Sequence, residues 1–397
     1  MVIVLVVDSF KDTSNGTSMT AFRFFEALKK RGHVMRVVAP HVDNLGSEEE
    51  GYYNLKERYI PLVTEISHKQ HILFAKPDEK ILRKAFKGAD IIHTYLPFLL
   101  EKTAVKIARE MQVPYIGSFH LQPEHISYNM KLGQFSWFNI MLFSWFKSSH
   151  YRYIHHIHCP SKFIVEELEK YNYGGKKYAI SNGFDPMFKY GFDPMFKFEH
   201  PQKSLFDTTP FKIAMVGRYS NEKNQSVLIK AVALSRYKQD IVLLLKGKGP
   251  DEKKIKLLAQ KLGVKTEFGF VNSNELLEIL KTCTLYVHTA NVESEAIACL
   301  EAISVGIVPV IANSPLSATR QFALDERSLF EPNNAKDLSA KIDWWLENKL
   351  ERERMQNEYA KSALNYTLEN SVIQIEKVYE EAIRDFKNNP NLFKTLS

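Results

Sequence analysis

Short apolar runs alternate with amphipathic helical stretches along the first half of the chain, and this alternation restricts the fold more than any other feature. The apolar runs have the length of buried strands, and Asn15-Gly16 and Pro40 are typical of the loops between elements. Strands that alternate with helices indicate a parallel sheet covered by helices. The predicted elements of this half, in chain order, are 2–7, 17–30, 34–39, 89–93, 99–111 and 113–118.

The same pattern restarts at Phe211, which indicates a second unit of the same kind. Its predicted elements, in chain order, are 211–218, 225–235, 241–247, 251–262, 284–289, 295–304 and 307–313. A chain of 397 residues also exceeds the roughly 100–200 residues of one domain. We therefore predict an α/β fold of two doubly wound, Rossmann-like parallel-sheet domains, with ligands at the carboxyl ends of the strands.

The heptapeptide GFDPMFK marks the boundary between the two domains, because it occurs at 183–189 and again at 191–197. A single repeat is too short for a solenoid, whereas a surface linker tolerates added residues at little cost. We predict an N-terminal domain over 1–181, a linker over 182–210 and a C-terminal domain over 211–374. The charged stretch 351–386 is predicted to be helical, with a narrow apolar stripe of Leu364, Leu368, Val372, Ile375 and Val378.

The composition excludes several classes of protein. The net charge of +7 is too small and too dispersed to indicate nucleic acid, although it favours an anionic partner. Cys159, Cys283 and Cys299 are too few and too far apart for a disulfide framework or a zinc site, which indicates a reduced, cytoplasmic protein. The first apolar run has no basic start or cleavage site, and no run reaches ~20 residues. We expect neither a signal peptide nor a membrane span.

Two carboxylates, Glu293 and Glu301, stand eight positions apart in the segment 287–311. If a helix begins near Glu293, both face the same side, next to the carboxyl end of a strand. There they are suited to bind sugar hydroxyls, while the first N–H groups of the helix bind a phosphate. The alternative is that both are ordinary helix residues that complement the helix dipole.

Three other features lie where the predicted fold binds ligands. Arg218 directly follows a strand and Lys223 precedes the next helix, so the two cations are suited to bind a pyrophosphate; the alternative is two solvated loop cations. His120, just after a strand, is either a residue that orients or protonates a reacting group or a hydrogen-bonded structural histidine. Gly16 permits close approach of a ligand, but its loop lacks the full G-x-G-x-x-G pattern.

Several short motifs, in the order in which they occur along the chain, resemble those of the family-4 retaining glycosyltransferases of the GT-B architecture. The resemblance covers nearly the whole chain. The motifs that carry the resemblance are Gly217-Arg218 with Glu222-Lys223-Asn224-Gln225, Gly247-Lys248-Gly249-Pro250, Gly269-Phe270-Val271, Asn182-Gly183-Phe184-Asp185, Glu293 with Glu301-Ala302, and Val305-Gly306-Ile307-Val308-Pro309-Val310. The chain departs from the family at Glu295 and Ala296, where Phe-Gly is usual, and its N-terminal loop has one glycine where many relatives have two.

The resemblance implies two domains that face a central cleft, with a C-terminal helix over about 375–397 that returns to the N-terminal domain. It implies that Arg218 and Lys223 neutralise the donor diphosphate and that Glu301 binds the ribose. Glu293 and His120 are the implied catalytic residues, at the transferred sugar. The other implied donor-binding residues are Gly16, Val271, Ser294, Ala296 and Ile297. Neither a metal nor another cofactor is expected, because two cations stabilise the leaving group.

The acceptor side has one clue, the aromatic-rich segment 135–146. It is either a helix in the membrane interface or a core helix of the N-terminal domain. The candidate acceptor or membrane contacts are Phe135, Trp137, Phe138 and Trp145. Basic residues at 29–31 and at 102, 106 and 109 either favour anionic lipid or form solvated helix faces. Strand alternation separates His155 from His156 and His158, so we expect no metal site there.

We expect a cytoplasmic retaining glycosyltransferase at the inner face of the cell membrane. It would transfer a hexose from a nucleotide sugar, UDP-linked, to a lipid or lipid-linked acceptor, and an anionic membrane surface would be its other partner. The alternatives are a soluble transferase for capsular or other surface polysaccharide, a nucleotide-sugar epimerase of the same architecture, and a membrane-peripheral binding protein with an inert Glu pair.

Overall fold

The computed structural model describes residues 1–12, 15–59, 61, 64, 73–130, 132–133, 135–188 and 210–393, and the chain divides into two compact units. The first unit comprises Met1–Pro123, Leu132–Asn182 and Leu368–Ser397. The second comprises Glu124–Lys131 and Gly183–Thr367. The second copy of the repeated heptapeptide, at 191–197, lies outside the described residues.

The first unit is built on a parallel sheet covered by helices. Its described strands are β1 (Val2–Val6), β2 (Val34–Pro40), β3 (Tyr52–Leu55), β4 (Ile91–Thr94), β5 (Tyr115–Ser118), β6 (His156–Cys159) and β7 (Lys176–Ala179). The helices up to this point are α1 (Gly16–Lys30), α2 (Glu79–Phe86), α3 (Leu99–Glu110), α4 (Pro123–Asn129), α5 (Ser136–Ser149) and α6 (Lys162–Lys170). The strand order is β3-β2-β1-β4-β5-β6-β7. The order reverses between β1 and β4, so the carboxyl ends of these two strands border the crevice in which such sheets bind ligands.

The second unit repeats this arrangement. Its described strands are β8 (Phe211–Val216), β9 (Ile241–Lys246), β10 (Thr266–Gly269), β11 (Leu285–His288), β12 (Val292–Glu293), β13 (Pro309–Ala312), β14 (Leu316–Ser317) and β15 (Leu329–Phe330). Its helices after α4 are α7 (Gln225–Leu234), α8 (Glu252–Leu262), α9 (Ser273–Lys281), α10 (Ile297–Ser304), α11 (Ala335–Glu347) and α12 (Lys349–Ala363). The main sheet has the order β10-β9-β8-β11-β13-β15, and β12 pairs with β14 beside it. Here the order reverses between β8 and β11.

These observations confirm the predicted fold class of two parallel-sheet, Rossmann-like domains. Most residues of the central strands β1, β4, β8 and β11 are buried because both faces of a parallel sheet are covered. In β1, for example, Ile3, Val4, Leu5 and Val6 are all fully buried.

The last long helix, α13 (Leu368–Asn388), belongs to the first unit. Its residues Val372 and Ile375 are buried in the same apolar core as β1. On its surface, Arg31 Nε donates to Glu376 Oε1 at 2.7 Å. The helix joins this unit from its first residue, earlier than the predicted boundary at 375.

The stretch 351–386 is helical as predicted, but it is divided between two helices. Helix α12 ends at Ala363, a 3-10 turn follows at Leu364–Tyr366, and Thr367 is extended. A backbone hydrogen bond forms at this break, since the N–H of Phe184 donates to the Tyr366 carbonyl oxygen at 3.2 Å. Leu364 is accordingly exposed and is not part of the buried stripe.

The first copy of the repeat was predicted to lie in a surface linker over 182–210. The structure instead places it in the second unit. Phe184 and Phe188 are fully buried in the core of the second unit. Ser304 Oγ also donates to Phe188 O at 3.1 Å. Two buried aromatic rings bind this segment to the domain, and the length of the repeat alone could not reveal this.

No helix among the described residues is both long enough and apolar enough to cross a bilayer.

Candidate active site

The charged residues predicted to bind the donor lie at the carboxyl ends of β8 and β11, where the order of the second sheet reverses. Arg218 follows β8 after Gly217, and Gln225 Nε2 donates to its carbonyl at 2.7 Å. Lys223 lies in the loop before α7, and Thr289 Oγ1 donates to its carbonyl at 2.8 Å. Side chains from neighbouring elements therefore fix the backbone that carries both cations.

Glycines bring the loops of this edge close together. A Cβ atom on Gly249 would lie 2.4 Å from the carbonyl oxygen of Tyr219, and one on Gly247 would lie 2.0 Å from that of Gly217. No side chain fits such distances, so the G-x-G-P turn after β9 must contain glycine at both positions. The turn packs directly against the backbone on either side of Arg218.

Glu293 is the centre of a buried polar cluster. Lys223 Nζ forms an ion pair and hydrogen bond with Glu293 Oε1, and His288 Nε2 lies 3.1 Å from the same oxygen. Burial raises the pKa of Glu293, but the Lys223 charge and the His288 contact lower it more, so the net shift is downward. Glu293 is thus an ionised carboxylate that accepts hydrogen bonds at neutral pH.

A helix that begins near Glu293 would have placed Glu293 and Glu301 on one side, and the structure does not meet this condition. Glu293 lies on the short strand β12, whereas α10 begins only at Ile297 and carries Glu301. Between them, Ala296 has φ 76° and ψ 69°, which turns the chain into the helix through a left-handed conformation. This conformation costs an alanine about 1 kcal/mol and suits glycine better. It explains why the family pattern has glycine where this chain has Ala296.

The loop around Arg218 also contains an acidic residue. Burial lowers the pKa of the Arg218 guanidinium, and the carboxylate of Glu222 opposes this shift. Ser220 Oγ donates to Glu222 Oε1 at 2.7 Å, and the N–H of Asn291 donates to the Glu222 carbonyl at 2.8 Å. Arg218 keeps its charge despite its burial, because a guanidinium does not lose its proton in proteins.

The other predicted donor-binding residues lie in three places. Ser294, Ala296 and Ile297 form the turn from β12 into α10, and Val271 follows β10. Gly16 begins α1 in the first unit, and a Cβ atom there would meet none of the described residues within 4 Å. The structure therefore gives no steric reason for glycine at 16, and its contact with a donor stays a prediction.

His120 lies in the first unit, just after β5, and is half-buried. Its ring stacks on Tyr95 with 5.3 Å between centroids and meets the His158 ring edge-on at 5.2 Å. Burial, with His158 second, lowers the pKa of His120 well below its ordinary value, so the ring is neutral. The His120 Nε2 atom is buried and has no hydrogen-bond partner among the described residues. A neutral ring with one unused nitrogen is suited to bind a substrate hydroxyl.

Sequence reasoning missed two histidines near Glu293. His288 is not among the predicted site residues, although it ends β11 at the edge of the sheet where the fold binds ligands. His125 lies on α4, in the part of that helix that groups with the second unit. Burial and the Lys223 charge lower the pKa of His125, whereas Glu293 and Glu222 act in the opposite direction.

The histidines near β6 are arranged differently from the prediction. His155, His156 and Asp385 bring potential ligand atoms within 4.8 Å of one another, because α13 supplies the carboxylate that strand alternation could not reveal. However, Lys176 Nζ already donates to Asp385 Oδ2 at 2.8 Å. That no metal is needed stays a prediction.

The aromatic-rich segment forms α5, and its two faces differ. Leu142, Phe143 and Phe146 are buried in the first unit. On the opposite face, Trp137 is 61% exposed and Trp145 is 48% exposed. The interpretation of both tryptophans as core residues is therefore wrong. The exposed apolar side chains of this helix, which we call the aromatic face, are Phe135, Trp137, Ile140, Met141 and Trp145; Phe138 is half-buried beside them.

A cleft of about 340 Å³ lies beside the aromatic face, in the first unit. Trp145 belongs to both, and Phe74 and Phe98 meet edge to face at 5.1 Å in its wall. The most buried polar group that reaches the cleft is Asp8, which follows β1 and whose Oδ1 accepts from Ala75 N at 2.7 Å. Burial raises the pKa of Asp8 to about 6. Volumes of 300–1,000 Å³ with apolar walls and few polar groups are typical of small-molecule sites.

Comparisons with known proteins agree with this architecture. Residues 14–188 match the family described as Glycosyltransferase Family 4, and residues 196–363 match Glycosyl transferases group 1. The chain resembles the sucrose-phosphate synthase of Thermosynechococcus elongatus with a TM-score of 0.71 at 15% identity, over 96% of this chain and 99% of that one. The catalytic domain of a cholesterol-alpha-glucosyltransferase from Helicobacter pylori is 98% identical, covers 40% of this chain and 100% of its own, and has a TM-score of 0.40.

Two curated relatives match most of the chain. The GDP-mannose-dependent alpha-mannosyltransferase of Corynebacterium glutamicum is 24% identical over 324 residues, which are 77% of this chain and 71% of the relative. The alpha-monoglucosyldiacylglycerol synthase of Streptococcus pneumoniae is 23% identical over 331 residues, which are 79% of this chain and 71% of the relative. Because both family matches follow one another along a fold of two parallel-sheet units, the chain belongs to the family-4 glycosyltransferases of GT-B architecture.

Proposed function

We propose that this glycosyltransferase transfers a hexose from a nucleotide sugar, most simply a UDP-sugar, to a lipid alcohol at the inner surface of the cytoplasmic membrane, with retention of anomeric configuration. The observation that carries the lipid acceptor is the aromatic face of α5 and the apolar cleft that Trp145 shares with it. A polysaccharide acceptor would need a groove rich in hydrogen-bonding groups, and the cleft walls are mostly apolar.

The donor half of the proposal rests on the charges around Glu293. Arg218 and Lys223 supply positive charge on a fixed backbone, which suits a diphosphate leaving group whose negative charge grows in the transition state. The ionised Glu293 would accept a hydrogen bond from a hydroxyl of the transferred sugar. Glu301, buried on α10, would bind the ribose. We propose that these residues need no metal ion.

The acceptor half rests on chemistry in the first unit. Interfacial tryptophans hold a protein at the level of lipid head groups, because their rings are apolar and their N–H groups are polar. A lipid could then enter the cleft from the bilayer, where Asp8 would accept a hydrogen bond from its hydroxyl. One relative is named a monoglucosyldiacylglycerol synthase, which is consistent with a lipid acceptor for this chain.

The test combines donors and acceptors in a matrix. UDP-glucose, UDP-galactose, UDP-N-acetylglucosamine and GDP-mannose are each offered with diacylglycerol, monoglucosyldiacylglycerol, cholesterol or a capsular oligosaccharide, and released nucleotide is measured. GDP-mannose is included because one relative's name contains it. We expect release with one UDP-sugar that requires a lipid and that continues in the presence of EDTA. Release that requires the oligosaccharide, or conversion of the nucleotide sugar without any acceptor, would contradict the proposal.

The variant Arg218→Ala is a matched test of the donor site. Loss of one donor to a developing negative charge costs about 3 kcal/mol of transition-state stabilisation, which corresponds to about a hundredfold lower kcat/KM. Arg354→Ala is the control, since this arginine lies on the exposed surface of α12 and pairs with Glu351. Near-normal turnover in Arg218→Ala would show that Arg218 does not bind the diphosphate.

A further inference from the structure

A second, cationic pocket of about 190 Å³ lies in the first unit between α3 and the end of α5. One face of α3 supplies three cations at a spacing of one and two helical turns, Lys102, Lys106 and Arg109. The last residue of α5, Ser149, and the residue that follows it, His150, also line the pocket. Lys102 also lines the apolar cleft together with Trp145, so the cationic pocket and the aromatic face adjoin.

The floor of the cationic pocket contains polar atoms without partners. His150 is 1% exposed, and neither of its ring nitrogens has a hydrogen-bond partner among the described residues. The Ser149 Oγ atom is buried and lacks a partner in the same way. A buried polar group left unpaired is unfavourable because it has lost its hydrogen bonds to water, so buried groups of this kind normally have a hydrogen-bond partner. Both side chains line the pocket, and a ligand there would satisfy them.

The charges around the pocket determine which ligand suits it. Burial, with the Lys102 charge second, lowers the pKa of His150 to about 3, so its ring is neutral and donates through one N–H. The Arg109 guanidinium lies over the Tyr153 ring at 5.1 Å, and both side chains line the pocket. Lys106 pairs at the exposed rim with Glu79 at 3.2 Å, and Glu110 lies 3.8 Å away. Cations at the rim and neutral donors on the floor favour a compact anion with several oxygen atoms.

We propose that this cationic pocket binds a phosphate group. The phosphate oxygens would accept hydrogen bonds from the three cations, from the Ser149 hydroxyl and from one N–H of His150. The pocket adjoins the aromatic face, so the head group of an anionic membrane lipid would reach it while the acyl chains contact Trp145. All the residues that line this pocket belong to the first unit, and the inference does not depend on which sugar or acceptor the enzyme uses.

The experiment compares two sources of phosphate on the full chain. Titration calorimetry measures binding of inorganic phosphate and of glycerol 1-phosphate, and co-sedimentation measures binding to vesicles of phosphatidylglycerol or of phosphatidylcholine. The variants are Lys106→Gln and Arg109→Gln. The control is Lys170→Gln, because the Lys170 side chain is 60% exposed and the Lys106 side chain 61%, and each forms a surface ion pair.

We expect Lys106→Gln and Arg109→Gln each to weaken binding to phosphatidylglycerol vesicles about fivefold, the effect of about 1 kcal/mol per cation near an anionic surface. Lys170→Gln should change it less than twofold, and nucleotide release with saturating acceptor in detergent should be unaffected in all three. If the soluble phosphates also lose affinity in the first two variants, the pocket binds phosphate from either source.

A measurement on the unmodified chain completes the test. The imidazole NMR signals of His150, assigned by comparison with His150→Gln, should shift as glycerol 1-phosphate saturates the protein. Equal losses in Lys170→Gln and Lys106→Gln would mean that only net charge matters, and that result overturns the inference. An unchanged His150 signal at saturating phosphate overturns it as well.

Discussion

Replacement of Lys223 by methionine tests the buried ion pair at the centre of the donor site. The Lys223 and Glu293 side chains are only 17% and 10% exposed, so the loss of one partner leaves a charge that water reaches poorly. Removal of one partner from a buried pair costs about 3–5 kcal/mol. His288 Nε2 remains 3.1 Å from the Glu293 carboxylate and offsets part of this loss, so we expect a destabilisation of about 3 kcal/mol.

The stability lost in Lys223→Met should depend on pH, and the pKa of Glu293 determines in which direction. In the native protein the pKa of Glu293 is depressed, so its stabilising contribution is present above the pKa of an unfolded glutamate, about 4.3, and disappears as the pH falls through the folded-state value. Without Lys223, burial raises the pKa of Glu293, and ionisation then opposes folding as the pH rises. The difference in stability between Lys223→Met and the native chain should therefore be large at pH 7 and smaller near pH 4.

Urea unfolding at both pH values measures this difference. The control is Lys256→Met, because Lys256 pairs with Glu252 on the surface of α8 with exposures of 49% and 39%, and such pairs contribute about 0–1 kcal/mol. The reasoning is refuted if Lys223→Met costs no more than the control, or if its cost is the same at pH 7 and pH 4.

The remaining predictions concern the membrane surface, the core and the two carboxylates. Trp137→Ser together with Trp145→Ser should abolish sedimentation with anionic vesicles and leave thermal melting nearly unchanged, since both side chains are exposed. Phe184→Ala should lower the free energy of unfolding by about 3–5 kcal/mol in urea titrations, because its ring is fully buried. In steady-state kinetics, Glu301→Gln should mainly raise the donor KM, whereas Glu293→Gln should mainly lower kcat.

Each of these predictions has a matched control or a contrary result. Leu350→Ser changes a side chain that is 83% exposed on α12 and should leave vesicle binding intact. Phe192→Ala is the matched control for Phe184→Ala, because Phe192 has the same position in the second copy of the heptapeptide. If it destabilises the protein while Phe184→Ala does not, the second copy provides the buried ring. The reverse kinetic pattern in the two glutamine variants would mean that the roles of Glu293 and Glu301 are exchanged.

Most of the fold could be predicted from the sequence because buried parallel strands have a simple pattern. The run predicted at 2–7 is the strand Val2–Val6, and the helix predicted at 99–111 is Leu99–Glu110. Apolar runs of this length, separated by helical stretches, have few other folded arrangements. The division into two such units follows from the restart of the pattern at Phe211.

The local geometry of the site could not be predicted in the same way. Helix propensity around Glu293 is high, but the pairing of β12 with β14 and the left-handed Ala296 delay the helix to Ile297. Both depend on contacts between segments that are distant in the sequence, and propensity does not register these contacts.

The aromatic segment shows a second limit of sequence reasoning. Both faces of α5 are apolar, so its periodicity does not distinguish the buried Phe143 from the exposed Trp145. The lack of hydrogen-bond partners for the His150 ring among the described residues could not be predicted either, because it depends on how α3 packs against the end of α5. A strand-end rule could have identified His288, because it stands at the carboxyl end of a predicted strand.

The most direct measurement of the central claim is the anomeric configuration of the purified lipid product, determined by proton NMR, together with its amount relative to released UDP. We predict one glycolipid for each UDP released, with the sugar joined to the lipid in the same α configuration that it has in the nucleotide sugar. UDP release without a glycolipid, or a β-linked product, would contradict this account of the enzyme.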